Sequence, residues 1–442
     1  MSAYETLLEL IEGLEIVDTH EHLPSEAERP MDTDVLSEYM RHYFPCDLVS
    51  AGLSPQELEV VMDSSGDLMK RWKLAEPYWE AARSTGYGRS LDIAVKGVYG
   101  IDGVNRKTIG SLNEAFTAAR EKGGHYEHVL KDKSRISISI FSTDDFSLKC
   151  DRRFFVFSYS LDEFLHPTHR RDVARIGREL NITIHNLEDW KEAMRLRLEQ
   201  VLARPHTVSL KHFAAYLRTL YYAKTDAATA EREFNRLFAN ENSSKSRQGI
   251  KMGKAFQDYM MHYLLSLCDR RGVTMQIHTG IQEGTGNVIA DSNPVHLTNL
   301  FQEYENMKFD IFHMGYPYVM ELSNLAKNFR NVFIDMCWGH IISPEAARRG
   351  LVEWLDAVPA NKISAFGGDY AFIDGVYGHQ KLARQNVAAS LAQKVNDGSF
   401  DLDRARQIAQ WLFVDNPTKL FDLDAHIKFA RKPKTARKRK KK

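Results

Sequence analysis

Two histidines stand two residues apart in the segment EIVDTHEH, His20 and His22. Three more polar residues close apolar runs farther along: His278 in TMQIHTG, His313 in FDIFHMG and Asp369 after SAFGG. Residues two apart on a strand share a face, so His20 and His22 point the same way and Glu21 points away. A single H-x-H pair is a modest signal, and a lone histidine at a strand end is commonly a hydrogen-bonded core residue. Four imidazoles and a carboxylate at the ends of such runs are different, because burying them together is costly unless a cation satisfies them. Nitrogen and oxygen donors without a thiolate suit Zn2+ first, with Mn2+, Fe2+ or Ni2+ as alternatives, and argue against a closed structural zinc site. A divalent metal with an open position lowers the pKa of bound water to about 7 and polarises a carbonyl oxygen.

The elements that must position these residues follow from periodicity. Short apolar runs bounded by turn residues alternate with stretches of helical spacing, the pattern of repeated βα units. Eight strands are expected, at EIVDTHEH, RISISIF, FFVFSYS, TVSLKH, TMQIHT, FDIFHM, VFIDMCW and ISAFGGD. Eight parallel strands suit an α/β fold of the (β/α)8 barrel type better than an open sheet, and closure gathers their C-terminal ends at one mouth. Two connections exceed plain βα units. The first, about residues 31–133, reads as a helical insertion after strand 1 that covers the mouth. The second, from His212 to Gly272, reads as a long helical hairpin after strand 4. SPEAARRGLVEWLDAV opens with a Ser N-cap and Pro at the first helical position. The barrel is expected to occupy residues 1–430.

In that order, His20 and His22 ending strand 1, Lys211 ending strand 4, His278 ending strand 5, His313 ending strand 6 and Asp369 ending strand 8 resemble the amidohydrolase superfamily signature. VDTHEHL, IHTG, FHMGYP and FGGDY are most similar to its amidohydrolase-related branch, which includes uronate-isomerase-like proteins. The resemblance implies that His20, His22, His278 and Asp369 bind a divalent metal and that Asp369 also shuttles a proton. His313 then either binds a second metal or polarises the substrate carbonyl. Lys211 is either carboxylated and bridges two metals, or unmodified and holds a substrate carboxylate. Arg218, Tyr316, Trp338 and Tyr370, just beyond their strands, are candidates for lining the substrate pocket.

The expected reaction is hydrolysis of a small amide, lactone or carboxylate-bearing substrate. Decarboxylation or uronate isomerisation at the same site is the alternative, and a non-catalytic barrel acting as a binding protein is the reading from another class. The loop HTGIQEGTGNV, with Gly284 and Gly286, lacks the third glycine of a dinucleotide fingerprint.

The composition, 43% hydrophobic and 27% charged, is that of a globular chain with ample core material. No apolar run is long enough to span a membrane. The N-terminus lacks the pattern of a secretion signal, and Cys46, Cys150, Cys268 and Cys337 form no C-x-x-C pair, so a cytoplasmic location with free thiols is expected. RKPKTARKRKKK, residues 431–442, carries nine of the 59 basic residues, leaving 50 against 59 acidic ones. Such a block reads as a solvated tail without a dedicated nucleic-acid partner. The expected partner is a small-molecule substrate, and a homo-oligomer is compatible with the sequence.

Overall fold

Strands buried on both faces need apolar and β-branched residues without interruption, and the eight short runs supply them. The computed structural model describes residues 1–239 and 251–431. In it the strands are β1 Ile16–Glu21, β2 Ile136–Thr143, β3 Phe155–Ser160, β4 Thr207–His212, β5 Thr274–His278, β6 Lys308–Phe312, β7 Val332–Asp335 and β8 Ile363–Ser364. Each pairs in parallel with the next, in the order β1 to β8. Main-chain bonds bring the ends together: Thr19 N–H donates to Phe366 O at 3.0 Å, Asp369 N–H to His20 O at 2.7 Å and His22 N–H to Tyr370 O at 3.2 Å. This is the (β/α)8 barrel expected from the sequence, and it sets the ends of β1 and β8 side by side.

Helices surround the sheet as the periodicity required. The helix Pro344–Ala357 is capped by Ser343, whose hydroxyl accepts from Ala346 N–H, with Pro344 at its first position. The β2–β3 connection, by contrast, holds no helix. A separate apolar cluster joins Val17, Ile138, Ile140 and Val156 of β1–β3 to Leu420, Phe421, Leu423 and Ile427. The last described segment thus packs on the strands that flank this helix-free connection.

The insertion after β1 is helical, with segments Val35–Tyr39, Phe44–Ser50, Pro55–Met62, Leu68–Ala82, Gly86–Tyr99 and Ile109–Lys122. The connection after β4 forms the expected helical hairpin, but its first arm begins later than the sequence suggests. Its helical arms are Ala227–Ala239 and Lys254–Asp269, whereas residues 213–226 hold only a single turn at Ala214–Tyr216. The reason is tertiary: Phe213 N–H donates to the Asp162 carboxylate and Leu220 N–H to Asp291 O, so this backbone is spent on neighbouring loops. Residues 432–442 of the basic tail lie outside the described residues.

A buried network clamps the insertion to the helix Ile373–Asn396. Asp374 accepts from Tyr39 OH at 3.1 Å, Tyr99 OH at 2.7 Å and His125 Nε2 at 2.7 Å. Burial alone pushes the Asp374 carboxyl up, but His125 and the two phenols outweigh it and hold it below the usual 3.8. A depressed carboxyl stabilises the fold above its unfolded-state pKa and loses that contribution as pH falls through the lowered value. Asp374→Asn is therefore expected to cost about 1–2 kcal/mol at neutral pH. It should also flatten the acid limb of stability below about pH 4, which urea titration across that range checks.

Candidate metal centre at the barrel mouth

His20 and His22 project from the end of β1, the first fully buried and the second with 41% of its side chain open. Asp369 follows β8 on a left-handed turn, at φ 53°, a conformation that costs a non-glycine residue unless its surroundings enforce it. The enforcement is visible. Gly368 N–H donates to Asp18 Oδ1 at 2.8 Å and Tyr370 N–H to Glu21 Oε2 at 2.9 Å, so two β1 carboxyls grip the chain on either side of Asp369. Burial pushes Asp18 up to about 7, and burial together with Asp18 raises Glu21 well above its usual value. A Cβ at residue 368 would overlap Glu21 Oε1, so only glycine fits there.

His20 Nε2 lies 3.2 Å from His22 Nε2, and Asp369 Oδ1 lies 3.5 Å from the first and 3.3 Å from the second. Ligands at about 2.0–2.1 Å from a tetrahedral ion stand roughly 3.3 Å apart, so this near-equilateral triangle has the size a zinc-type ion demands. Its hydrogen-bond partners fix the tautomers. Gln276 spends its amide hydrogens on Thr19 O and Asp310, leaving Oε1 to accept from His20 Nδ1–H, so His20 Nε2 offers a lone pair. His313 Nδ1–H donates to Cys337 O at 3.1 Å, and His278 Nε2–H donates to Ile281 O at 2.8 Å. The remaining nitrogens, His313 Nε2 and His278 Nδ1, then face each other at 3.0 Å as two acceptors, with Asp369 Oδ2 3.8 Å from His313.

Burial lowers His20 and His313 well below 6.5 and His278 to about 3, which keeps these rings in the neutral, ligand form. Burial raises Asp369, yet its imidazole neighbours outweigh this and hold it well below 3.8. Inward-facing lone pairs around one carboxylate repel one another unless a cation lies among them. The donor set therefore fits a divalent ion at His20, His22 and Asp369 Oδ1; a second group is formed by His313, Cys337 and Asp369, and His278, expected among the first ligands, joins neither group and faces His313 instead. Gln276→Leu, which frees the His20 ring without touching a donor atom, is expected to weaken zinc binding about 10- to 100-fold, read by chelator competition.

Lys211 opens into a cavity of about 290 Å³ that His22, His278 and Asp369 also line. Its Nζ sits 3.6 Å from the Phe312 ring centroid, and burial lowers it to about 8. The other sequence candidates lie elsewhere. Arg218 spends its guanidinium on Asp258, Gln257 and two carbonyls and stacks on Tyr222. Tyr316 lends its carbonyl to Ile281 N–H. Trp338 bonds Tyr87 OH through Nε1, and Tyr370 OH pairs with Ser90, so both form an aromatic wall against His42 rather than lining the cavity. The cavity instead draws His42 and Tyr43 from the insertion, Thr143 from β2, Ser160 from β3, Tyr216, and Glu283 from the loop after β5. Tyr43 and Tyr216 join hydroxyl to hydroxyl at 3.1 Å across the mouth. Of these only Thr143 and Ser160 stand at strand ends; the others carried no such signal in the sequence.

Residues 235–423 match the family model described as Amidohydrolase. A stretch of 236 residues, 51% of this chain, is 26% identical to Protein fluG of Emericella nidulans, and 106 residues, 24% of the chain, are 29% identical to the uronate isomerase of Cutibacterium acnes. These stretches cover 27% and 23% of the two curated relatives, about a quarter of their length. Among solved structures, glucuronate isomerase from Caulobacter crescentus superimposes with a TM-score of 0.75 at 19% identity, over 98% of this chain and 95% of that one. Among the described residues no helix is long and apolar enough to cross a membrane. The family match thus covers residues 235–423, and the eight-strand barrel around it has a fold similar to that of the glucuronate isomerase structure.

Proposed function

We propose that this chain is a divalent-metal-dependent hydrolase of a small, carboxylate-bearing substrate. The observation that carries the reading is the triangle of His20, His22 and Asp369 beside an open cavity whose single Lys or Arg, among the described residues, is Lys211. A divalent cation bound there supplies Lewis-acid polarisation of a carbonyl oxygen and activation of water. The remaining work falls to the chain. Lys211 Nζ pairs with the substrate carboxylate and fixes which end enters first. Asp369, with one oxygen toward each histidine set, takes a proton and returns it to the leaving group. His313 donates Nδ1–H to Cys337 O, so its Nε2 has no hydrogen for a substrate carbonyl; this tautomer favours the ligand role over the polarising one. Tyr43 and Tyr216, bridged hydroxyl to hydroxyl, narrow the mouth over the substrate.

Isomerisation of a uronate is the second reading, favoured by the likeness of fold to glucuronate isomerase over 98% of the chain. It asks the same of Lys211, a partner for a sugar-acid carboxylate. A panel of N-acyl amino acids, lactones and free uronates, offered to the zinc- or manganese-loaded chain, separates the two by which product forms. In the panel's best substrate, Lys211→Met is expected to raise KM about thirtyfold, the loss of one charge-assisted hydrogen bond of about 2 kcal/mol. A collapse of kcat together with loss of half the bound metal would instead assign Lys211 to a carboxylated bridge.

A further inference from the structure

The cavity at the metal centre does not end at its polar lining. A second cavity of about 560 Å³ adjoins it, and His42 and Glu283 line both. Its walls differ in kind: Met40, with Pro45 and Val49 of the helix Phe44–Ser50 and Pro55, Leu58 and Met62 of the helix Pro55–Met62, supplies a mainly apolar surface, with Arg41 and Glu59 also lining it. Met62 is 39% exposed, so the groove opens to solvent. Between the two cavities lies a narrower space of about 260 Å³ bordered by Tyr43, Cys46 and Gly284, where Gly284 N–H donates to Cys46 Sγ at 3.2 Å. The polar chamber and the apolar groove therefore meet at His42 and Glu283.

We infer that the substrate is two-part, with a carboxylate-bearing polar head at the metal centre and an apolar aryl or acyl group lodged in the groove between Met40 and Met62. This rests on the metal-centre reading above and deepens it by naming the substrate class. A free sugar acid carries no apolar extension, so with such a substrate the groove would have no partner. An apolar extension removes the groove's surface from water in proportion to the area it covers, about 0.8 kcal/mol for each buried methylene. Exposed apolar patches on a monomer commonly mark such binding sites, and the walls of His42 and Glu283 that the groove shares with the metal chamber point to one ligand occupying both.

The test uses the zinc-loaded full chain and two ligands that share an amide and a carboxylate but differ in apolar bulk, N-benzoylglycine and N-acetylglycine. Calorimetry is expected to show at least tenfold tighter binding of the benzoyl compound, and Leu58→Glu is expected to bring that ratio close to one. Independently of affinity, saturating N-benzoylglycine should shield Cys46 from N-ethylmaleimide while N-acetylglycine does not. Cys150, also half-buried but far from the groove, serves as the unaffected control. Equal affinity of the two ligands, with Cys46 unshielded by either, overturns the inference. Shielding of Cys46 that rises with protein concentration in the absence of ligand also overturns it, by giving the groove to a second copy of the chain. Binding of neither ligand to metal-loaded protein overturns the head-group reading beneath it, an outcome distinct from equal binding of both.

Discussion

Asp369→Asn is expected to abolish nearly all turnover, by roughly 10³-fold in kcat, and to weaken zinc binding by at least about 100-fold, without unfolding the barrel. Residue 369 sits at φ 53°, a conformation that asparagine accepts more readily than most residues, and its N–H bond to His20 O is unchanged by the substitution. The carboxylate turns Oδ1 toward His20 and His22 and Oδ2 toward His313, so both oxygens face imidazole nitrogens that a cation would share. An amide offers one oxygen, no charge, and an NH2 group that no cation will take as a ligand. Circular dichroism and thermal melting should therefore match the parent, while chelator competition and turnover on the best substrate should not. Parent-like turnover would remove Asp369 from the chemistry.

Gly378→Ala is expected to destabilise the fold by about 3 kcal/mol, the upper end for forcing one carbon into a filled interface. Gly378 lies on the helix Ile373–Asn396 where the insertion helix Gly86–Tyr99 crosses it, and a Cβ there would overlap the main-chain oxygen of Ser90. Backbone atoms cannot swing aside as a side-chain tip can, so the two helices must part. The displaced insertion carries the clamp onto Asp374 through Tyr39 and Tyr99. Gly110→Ala is the control. It lies in the helix Ile109–Lys122, its added carbon meets nothing within 4 Å, and the exchange is expected to be neutral or to stabilise by a few tenths of a kcal/mol. Urea midpoints of the three proteins decide the matter, and equal midpoints would mean that the insertion is not held by this crossing.

All eight strands were legible because parallel strands buried on both faces leave unbroken apolar runs, and the mouth was legible because those runs end in His20, His22, His278, His313 and Asp369. Other features were hidden for identifiable reasons. The helix Gly86–Tyr99 contains three glycines that depress helix propensity, and it exists because close packing against Ile341, Tyr377 and the Ile373–Asn396 helix outweighs that cost. The first helix, Ala3–Gly13, by contrast carries a local signal in the capping box of Ser2 and Glu5. His42, Tyr43, Tyr216 and Glu283 reach the cavity from loops and insertion, where periodicity says nothing about direction. The grip of Asp18 and Glu21 on Gly368 and Tyr370 depends on contacts about 350 residues apart along the chain, which no local pattern encodes.

His20, with its lone pair fixed by Gln276, is expected to converge with His22 and Asp369 on one cation. Anomalous scattering from crystals of the protein purified without chelators and soaked in zinc tests it directly. The expected result is a peak about 2.1 Å from each of His20 Nε2, His22 Nε2 and an Asp369 oxygen, with at least one equivalent of metal per chain by elemental analysis. An ordered mouth with no peak among those three residues, in a protein that still turns over its substrate, would contradict the account.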